Sequence, residues 1–264
     1  MKKEQLPQDG VPAEKMQGHW VMTRLGKKVL RPGGMVLTRR MMQDLQIQSS
    51  DSVIEFAPGM GATARLTLRK NPKKYTAVDY ESAIVKRIKT LLNGTSYTCI
   101  QGLAQKSGLP SGSATKVYSE AILTMQTDSK KKEIVKEAYR LLGSGGLYGI
   151  HEVGIIDTSN KSEIKEIQSD LTHSIKVDAR PLLNGKWREL IENEGFEIVS
   201  EHRVPFHLLN VQQIFVDEGF FGALKFFWNM IRLPRERNAL LSMKRVFKKF
   251  DNQICAIALV ARKK

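Results

Sequence analysis

Cysteine is almost absent from this sequence of 264 residues, which contains only Cys99 and Cys255. Two cysteines are too few for a disulfide framework or a cysteine-based metal site. Each lies in an apolar, strand-like segment, at 97–100 and 254–260, so we expect two buried, reduced thiols. No close group of histidine, cysteine and acidic residues has the spacing of metal ligands, so we also expect no bound metal.

Long apolar segments are missing as well. The first fifteen residues are polar and contain Pro7, Gly10 and Pro12, which argues against a signal peptide or a membrane span there. We therefore expect a cytoplasmic protein. Hydrophobic residues make up 41% of the chain and charged residues 26%, a balance that favours a folded globular protein over a disordered one.

Acidic residues are scarce relative to basic ones. Asp and Glu number 27 against 42 Lys and Arg, which gives a formal net charge of +15. Such an excess favours polyanionic partners, either nucleic acid or an anionic membrane surface. The densest basic segments are 65–74, 130–136 and 232–249, and solvated helix faces account for most of this charge. The charge leaves a nucleic-acid partner and a peripheral membrane contact open without favouring either.

The sequence does contain a regular alternation of strand-like and helical segments between about residues 51 and 153. The predicted order is strand 52–56, helix 61–70, strand 75–79, helix 82–92, strand 97–101, strand 115–119, helix 130–142 and strand 146–153. This order is typical of βαβ units and predicts a parallel sheet. Glycines directly after Leu142 predict a glycine C-cap for the last of these helices.

Further helices and strands are predicted on both sides of this segment. Helices 19–30 and 35–45 precede it, and helices 162–175 and 185–194 follow it, then a hairpin of strands 196–204 and 253–261 with a helical stretch, 211–250, between them. We expect this stretch to be broken near Gly219 and Pro234. The predicted division is an N-terminal helical cap, 1–48, and one larger domain, 49–264, with helical lids at about 155–194 and 205–250.

The most informative segment is 53–63, in which a strand leads into a glycine turn and then into a helix. Gly59 and Gly61 allow a sharp turn and a close approach of a ligand to the backbone, and Glu55 could hold an ammonium group. The next strand ends in Asp79, eighteen positions after Gly61, where a carboxylate can accept both hydroxyls of a ribose. A dinucleotide site would require a third glycine at the helix start, and the sequence has none there.

From residue 53 to residue 153 the sequence resembles the class I S-adenosylmethionine-dependent methyltransferases. The similar segments are 55–61 (EFAPGMG, with Ala57 where the first glycine is usual), 78–79 (VD), 101–104 (QGLA), 116–121 (KVYSEA) and 141–146 (LLGSGG). The resemblance implies an α/β fold with a doubly wound, mostly parallel sheet of seven strands. The N-terminal helices and the helical insertion before the last strand would be additions to this Rossmann-like methyltransferase domain.

The resemblance also implies S-adenosylmethionine as the cofactor, S-adenosylhomocysteine as the product and a set of cofactor contacts. The implied contacts are Glu55, Ala57, Gly59 and Gly61 at the methionine moiety, Asp79 at the ribose, Leu103 and Ala104 at the adenine, and Glu120 and Ala121 at the reacting end, with Tyr80 and Gly102 as further cofactor contacts. The family often has an acid at the position of Leu103. We therefore expect adenine binding here to depend more on backbone and apolar contacts.

Catalytic and acceptor-binding residues are harder to identify. His151, at the predicted end of a strand, is our first candidate for a general base, and Glu120 is the second. A hydrogen-bonded structural role is the alternative for His151, and Glu120 could instead serve the amino group of the cofactor. Candidate residues of the acceptor pocket are Trp20, His173, Arg180 and Phe227, each of which could instead be a packing or surface residue.

The most apolar segment, 219–231, contains four phenylalanines and one tryptophan. It could pack on the core, line an apolar acceptor pocket or lie on a membrane surface. We expect methyl transfer to a small, apolar or aromatic molecule. A nucleic-acid methyltransferase and a non-catalytic protein that binds the cofactor are the alternatives, although the chain lacks the Asn-Pro-Pro-Tyr type of motif found in amino-methylating enzymes. The sequence leaves the acceptor, the methylated atom and the oligomeric state open.

Overall fold

The computed structural model describes residues 7–8, 10–206 and 210–264. The helices are α1 (Gly18–Arg24), α2 (Gly34–Leu45), α3 (Ala62–Leu68), α4 (Ser82–Leu91), α5 (Asp128–Leu141), α6 (Lys161–Ile175), α7 (Asn184–Glu192), α8 (Val211–Arg232) and α9 (Pro234–Lys249). The strands are β1 (Ser52–Phe56), β2 (Lys74–Asp79), β3 (Thr98–Gln101), β4 (Ala114–Glu120), β5 (Leu142–Ile155), β6 (Leu182–Leu183), β7 (Phe196–Pro205) and β8 (Ile254–Lys263).

These strands form one sheet in the order β3-β2-β1-β4-β5-β8-β7, and the two-residue β6 pairs with β5 outside this path. Strands β1 to β5 are parallel to one another, whereas β8 is antiparallel to both β5 and β7. The predicted α/β fold is thus confirmed, and the described residues form eight strands instead of seven because of β6. The strand order reverses between β1 and β4, and ligands of open α/β sheets bind at such a reversal, outside the carboxyl ends of the strands.

Two hydrophobic clusters cover the two faces of the sheet. Consecutive residues of β1 illustrate the alternation of a strand, because Val53 belongs to one cluster and Ile54 to the other. The first cluster includes residues of α1, α2, α4, α8 and α9, and the second includes residues of α5 and α7. The N-terminal helices therefore share a continuous core with the sheet.

Two predicted helix ends were wrong. The glycines that follow α5 do not cap it, because its C-cap residue, Leu142, is already extended and begins β5. The helix predicted over 19–30 ends at Arg24, since Gly26 has a φ of +105°, which is incompatible with a continuing right-handed helix. The break predicted near Gly219 is confirmed by its φ of +71° within α8, and α9 begins at Pro234.

The predicted hairpin is confirmed, with β7 antiparallel to β8 and about fifty residues between them that include α8 and α9. The division into a cap and a larger domain remains a prediction. Among the described residues, no helix has the length and apolar character needed to cross a membrane.

Candidate active site

A cavity of about 430 Å³ lies at the carboxyl ends of the parallel strands. This volume is within the range of about 300–1,000 Å³ usual for small-molecule pockets. The glycine turn after β1, the ends of β2, β3 and β4, and residues from the N-terminal region all contribute to its walls. The cavity therefore lies where the strand order reverses, as expected for a ligand site of this class of sheet.

Most residues predicted to contact the cofactor line this cavity. Those that do are Glu55, Ala57, Gly59, Asp79, Tyr80, Gly102, Leu103, Ala104, Glu120 and Ala121. Gly61 is not in the lining. It adopts a φ of +76° as the N-cap of α3, and a Cβ there would lie only 3.0 Å from Leu91 and 3.1 Å from Ile88, so Gly61 permits close packing on α4. A Cβ on Gly59, by contrast, would meet no atom within 4 Å.

The carboxylate of Glu55 is buried beside two tyrosines. It accepts hydrogen bonds from the hydroxyls of Tyr75 and Tyr118, the latter at 2.8 Å. Burial raises the pKa of Glu55 to about 7, although the two tyrosine hydrogen bonds lower it. A cation that entered the cavity beside Glu55 would favour the ionised form of this carboxyl group, so the side chain is suited to pair with an ammonium group.

Asp79 ends β2 and is almost fully buried. Burial raises its pKa to about 6, while hydrogen bonds from the backbone N–H groups of Glu81, Tyr80 and Gly59 lower it. The Glu81 N–H lies 2.9 Å from a carboxylate oxygen of Asp79. These contacts fix the carboxylate beside the glycine turn, and its remaining acceptor positions are available to a ligand with hydroxyl groups.

Glu120, at the end of β4, is bound on several sides. It accepts hydrogen bonds from the hydroxyls of Thr38, at 2.6 Å, and Thr63, forms an ion pair with Arg31, at 3.0 Å, and lies 2.9 Å from Nδ1 of His151. Burial alone would raise the pKa of Glu120, but Arg31, His151 and Thr38 outweigh it and lower the pKa to about 2. A carboxylate with so low a pKa is a poor proton acceptor at neutral pH.

The structure also argues against His151 as a general base. Its side chain is fully buried within β5 and does not line the cavity. Its Nδ1 faces Glu120 and its Nε2 faces the backbone carbonyl oxygen of Pro32, so both nitrogens are bound to acceptors. His151 therefore joins the turn before α2 to the sheet, which is the structural alternative considered for it.

Of the four residues predicted for the acceptor pocket, only Trp20 lines the cavity. His173 is exposed on α6, where its Nδ1 donates to the backbone oxygen of Ser169, and Arg180 is exposed and paired with Asp178. Phe227 is half-buried on α8 and packs against Phe215 and Phe226. None of these three residues is part of the cavity wall.

Sequence reasoning predicted Trp20 but missed most of the other residues on the N-terminal side of the cavity. Gln17, His19, Lys28 and Leu30 line it together with Trp20. The His19 ring lies 4.6 Å from that of Trp20, and burial lowers the pKa of His19 to about 4. His19 makes no side-chain hydrogen bond to another described residue. Only a tertiary contact brings residue 19 to the sheet, so no local pattern could have indicated this.

The loop after β4 is held by a second buried acid. Glu152 is fully buried and accepts hydrogen bonds from the backbone N–H groups of Ile122, Leu123 and Thr124 and from the Thr124 hydroxyl, at 2.7–3.1 Å. These bonds fix the segment that continues from Ala121 along the cavity. Among the described residues, no group of three histidine, cysteine or acidic side chains could hold a metal ion.

Comparison with known proteins gives a consistent result. Residues 53–146 match the model of a family described as a methyltransferase domain. A protein of Haemophilus influenzae, described only as uncharacterized, is 26% identical over 245 residues, which are 89% of this chain and 92% of that protein. The match to the family covers the glycine turn, Asp79 and β4.

Two solved structures illustrate the similarity of fold. The phosphoethanolamine N-methyltransferase 2 of Haemonchus contortus, in complex with S-adenosylhomocysteine, has a TM-score of 0.69 at 14% identity over 93% of this chain and 56% of that one. The (4+2) cyclase SpnF has a TM-score of 0.70 at 16% identity over 92% of both chains. Residues 53–146 thus match a methyltransferase-domain family, and the chain shares its fold with both of these structures.

Proposed function

We propose that this protein transfers a methyl group from S-adenosylmethionine to a small, apolar or aromatic molecule. The observation that carries the proposal is the convergence of Glu55, Gly59 and Asp79 on one cavity at the carboxyl ends of β1 and β2. An acid for an ammonium group, an open backbone turn and an acid for ribose hydroxyls fit the cofactor's polar groups. The complex of the Haemonchus contortus enzyme with S-adenosylhomocysteine supports the same cofactor.

The residues present fit the cofactor without rearrangement of the turn. The open space beside Gly59 permits close approach to the backbone, Asp79 would hold the ribose, and Leu103 would cover the adenine. When bound, the cofactor supplies a methyl group that its sulfonium makes electrophilic. The task of the chain is then to hold an acceptor atom in line with this group and to exclude water, and orientation of this kind contributes effective molarities of about 10⁵–10⁸ M.

The N-terminal residues of the cavity would hold the acceptor. Trp20 and Leu30 offer apolar contact, and His19 offers an imidazole that burial keeps neutral. With a pKa of about 4, the His19 imidazole is a weak proton acceptor at neutral pH, as Glu120 is, so its proposed task is to position the acceptor by hydrogen bonding. The proposal therefore assigns no general base, and methyl transfer depends on the orientation of the acceptor.

Cofactor binding is tested first by calorimetry with S-adenosylmethionine and S-adenosylhomocysteine. We expect micromolar affinity, and a loss of at least about tenfold in Asp79→Ala, which removes the ribose contact. Asp178→Ala, a change of an exposed acid outside the cavity, is the matched control and should bind normally. Absence of binding to the unmodified protein would refute the proposal.

Methyl transfer is tested with labelled S-adenosylmethionine and a panel of apolar and aromatic acceptors. Trp20→Ala should raise KM for the acceptor more than it lowers kcat, and His19→Gln, which keeps a hydrogen-bonding side chain, should raise KM to a smaller extent. Cofactor binding without transfer to any acceptor would favour the non-catalytic alternative. The cyclase SpnF is named for a different reaction, so this fold alone does not establish methyl transfer.

A further inference from the structure

Helix α8 exposes an unusual amount of apolar surface. Of the thirteen large hydrophobic side chains that are exposed among the described residues, eight lie on this helix: Val211, Phe215, Val216, Phe220, Phe221, Leu224, Trp228 and Ile231. Phe221 is 83% exposed and Ile231 68% exposed. Scattered surface hydrophobics are normal, but this concentration on one element indicates a surface that contacts something else.

The exposed residues of α8 lie together in space. Phe220, Leu224, Trp228 and Ile231 follow the spacing of one helix face. The ring of Phe215 lies 6.3 Å from that of Phe220, so the aromatic surface continues across the break at Gly219. The opposite side of α8 packs on the core through the buried residues Ile214, Ala223 and Phe226. We call the exposed side the apolar face of α8.

The charges around this face are basic. Residues 211–250 contain eight Lys and Arg but only three acids. All three acids are occupied: Asp217 pairs with Lys27, Glu218 accepts from the backbone N–H groups of Lys28 and Val29, and Glu236 pairs with Arg24. Lys249 pairs with Glu166 and Asp170, so the basic charge left uncompensated in this segment belongs to the other seven cations.

Three exposed cations lie closest to the apolar face in sequence. They are Lys225, Arg232 and Arg235, and none of them pairs with an acid in the part of the chain that the structure describes. Arg232 lies 5.9 Å from the ring of Trp228. An apolar helix face with Trp and Phe, flanked by Lys and Arg, is the composition of a helix that lies in the plane of a membrane interface.

We propose that the apolar face of α8 docks on an anionic lipid bilayer. Its aromatic side chains would enter the boundary between headgroups and acyl chains, and Lys225, Arg232 and Arg235 would contact lipid phosphates. The charge favours this occupant over a second copy of the chain. A symmetric contact between two copies would bring the same uncompensated cations together, which is unfavourable.

The docking helix also supports the cap of the cavity. The buried ion pair between Lys27 and Asp217, at 2.7 Å, ties α8 to the segment between α1 and α2. Within that segment, Lys28, Leu30 and Arg31 line the cavity. Docking would therefore place the bilayer against α8, the helix to which this part of the cavity wall is attached. The docking proposal does not depend on catalysis, because its surface lies outside the cavity.

The test is co-sedimentation with vesicles of phosphatidylcholine alone and of equal parts phosphatidylcholine and phosphatidylglycerol. We expect binding to the anionic vesicles that is at least about tenfold stronger than to the neutral ones. The double variant Phe221→Ser/Trp228→Ser should lose about tenfold or more of this binding and remain folded, because both side chains are exposed. Arg232→Gln/Arg235→Gln should weaken binding mainly to anionic vesicles.

Matched controls change comparable residues elsewhere. Val199→Ser removes an exposed apolar side chain of β7, and Lys70→Gln/Lys73→Gln removes two exposed cations after α3, and each should bind vesicles normally. Trp228 provides a second readout because Trp20 and Trp187 are buried. A blue shift of tryptophan fluorescence on vesicle addition, absent in Trp228→Phe, would support insertion.

Three results would overturn the proposal. The first is no binding to anionic vesicles. The second is binding that persists unchanged in Phe221→Ser/Trp228→Ser, which would leave only nonspecific charge attraction. The third is a concentration-dependent dimer, seen by analytical ultracentrifugation, that the same variant abolishes while vesicles do not bind, since the face would then join two copies.

Discussion

Two alanines at the edge of the cavity adopt backbone conformations that favour glycine. Ala57 and Ala121, at the ends of the neighbouring strands β1 and β4, have φ values of +52° and +54°. A left-handed conformation costs an L-residue with a side chain roughly 1–2 kcal/mol. The backbone N–H of Ala57 donates to Val78 and that of Ala121 to His151, and these hydrogen bonds hold both residues in place.

Ala57→Gly should raise the free energy of unfolding by about 0.5–1 kcal/mol, because relief of the left-handed strain exceeds the extra chain entropy of glycine in the unfolded state. Urea unfolding followed by circular dichroism measures this. Ala239→Gly, within α9, should have the opposite effect and cost about 1 kcal/mol. A destabilised Ala57→Gly protein would contradict the argument.

The raised pKa of Glu55 predicts a pH dependence of stability. Its folded-state pKa of about 7 exceeds its ordinary value of 4.5, so its protonated form contributes stability that is complete below about pH 4.5 and is lost as the pH rises through 7. Glu55→Gln keeps the uncharged shape. We expect this variant to match the unmodified protein near pH 5 and to be the more stable of the two near pH 8.

Thermal unfolding of Glu55→Gln at these two pH values provides the measurement, and Glu197→Gln, an exposed position of β7, is the control. We also expect weaker binding of S-adenosylmethionine by Glu55→Gln, because the carboxylate proposed for the ammonium group is gone. A variant that is less stable near pH 8 would show that Glu55 is stabilising in its ionised form.

At the scale of elements, the cavity is built by connections between distant parts of the chain. The turn before α2 reaches β4 and β5 through Arg31, Glu120 and His151. The same N-terminal region is fixed to α8 through Lys27 and Asp217, whose side chains are both fully buried. Helices from both ends of the chain thus determine one wall of the cavity.

Lys27→Met should cost about 3–5 kcal/mol, because the change leaves the Asp217 carboxylate buried without its cation. The double variant Lys27→Met/Asp217→Asn should recover much of this loss, since an amide oxygen can still accept from the backbone N–H of Met35. Urea unfolding of both variants measures the free energy that each one loses. Lys249→Met, which breaks an exposed pairing with Glu166 and Asp170, should cost less than about 1 kcal/mol.

At the scale of the whole molecule, the net charge of +15 is the main argument for the nucleic-acid alternative. Part of this charge is used internally, as in the pairs Arg140–Glu137 and Arg188–Glu201. Another part surrounds the apolar face of α8. The cavity wall contains acids (Glu55, Asp79, Glu81 and Glu120) as well as cations (Lys28, Arg31 and Lys130), so it is not the uniformly basic groove that follows a phosphate backbone.

We therefore expect an RNA oligonucleotide to bind only nonspecifically, with a Kd weaker than about 10⁻⁶ M at physiological salt and a steep loss of affinity as salt rises. Fluorescence anisotropy over a salt series, with unrelated RNA and DNA sequences in parallel, provides the test. Tight binding that distinguishes one sequence or one type of nucleic acid would revive the nucleic-acid methyltransferase alternative.

The order of strands and helices, the parallel sheet and the cofactor-like segments around residues 55, 79, 102 and 120 could all be predicted from the sequence. Those features depend on local patterns: apolar alternation, helical spacing and glycines at turns. The two wrong helix ends also involve glycines. Gly26 ends α1 earlier than predicted, and the glycines after Leu142 belong to β5 instead of capping α5. The short β6 left no pattern of its own.

Only the tertiary structure decided what the polar groups of the site do. His151 and Glu120 looked like bases, but the fold places an arginine, two hydroxyls and a backbone carbonyl against them, all from residues 31 to 63. It likewise brings His19 to the cavity and turns the aromatic segment of α8 outward. The physical reason is that the protonation state and accessibility of a side chain depend on the charges and packing around it, and distant parts of the chain supply them.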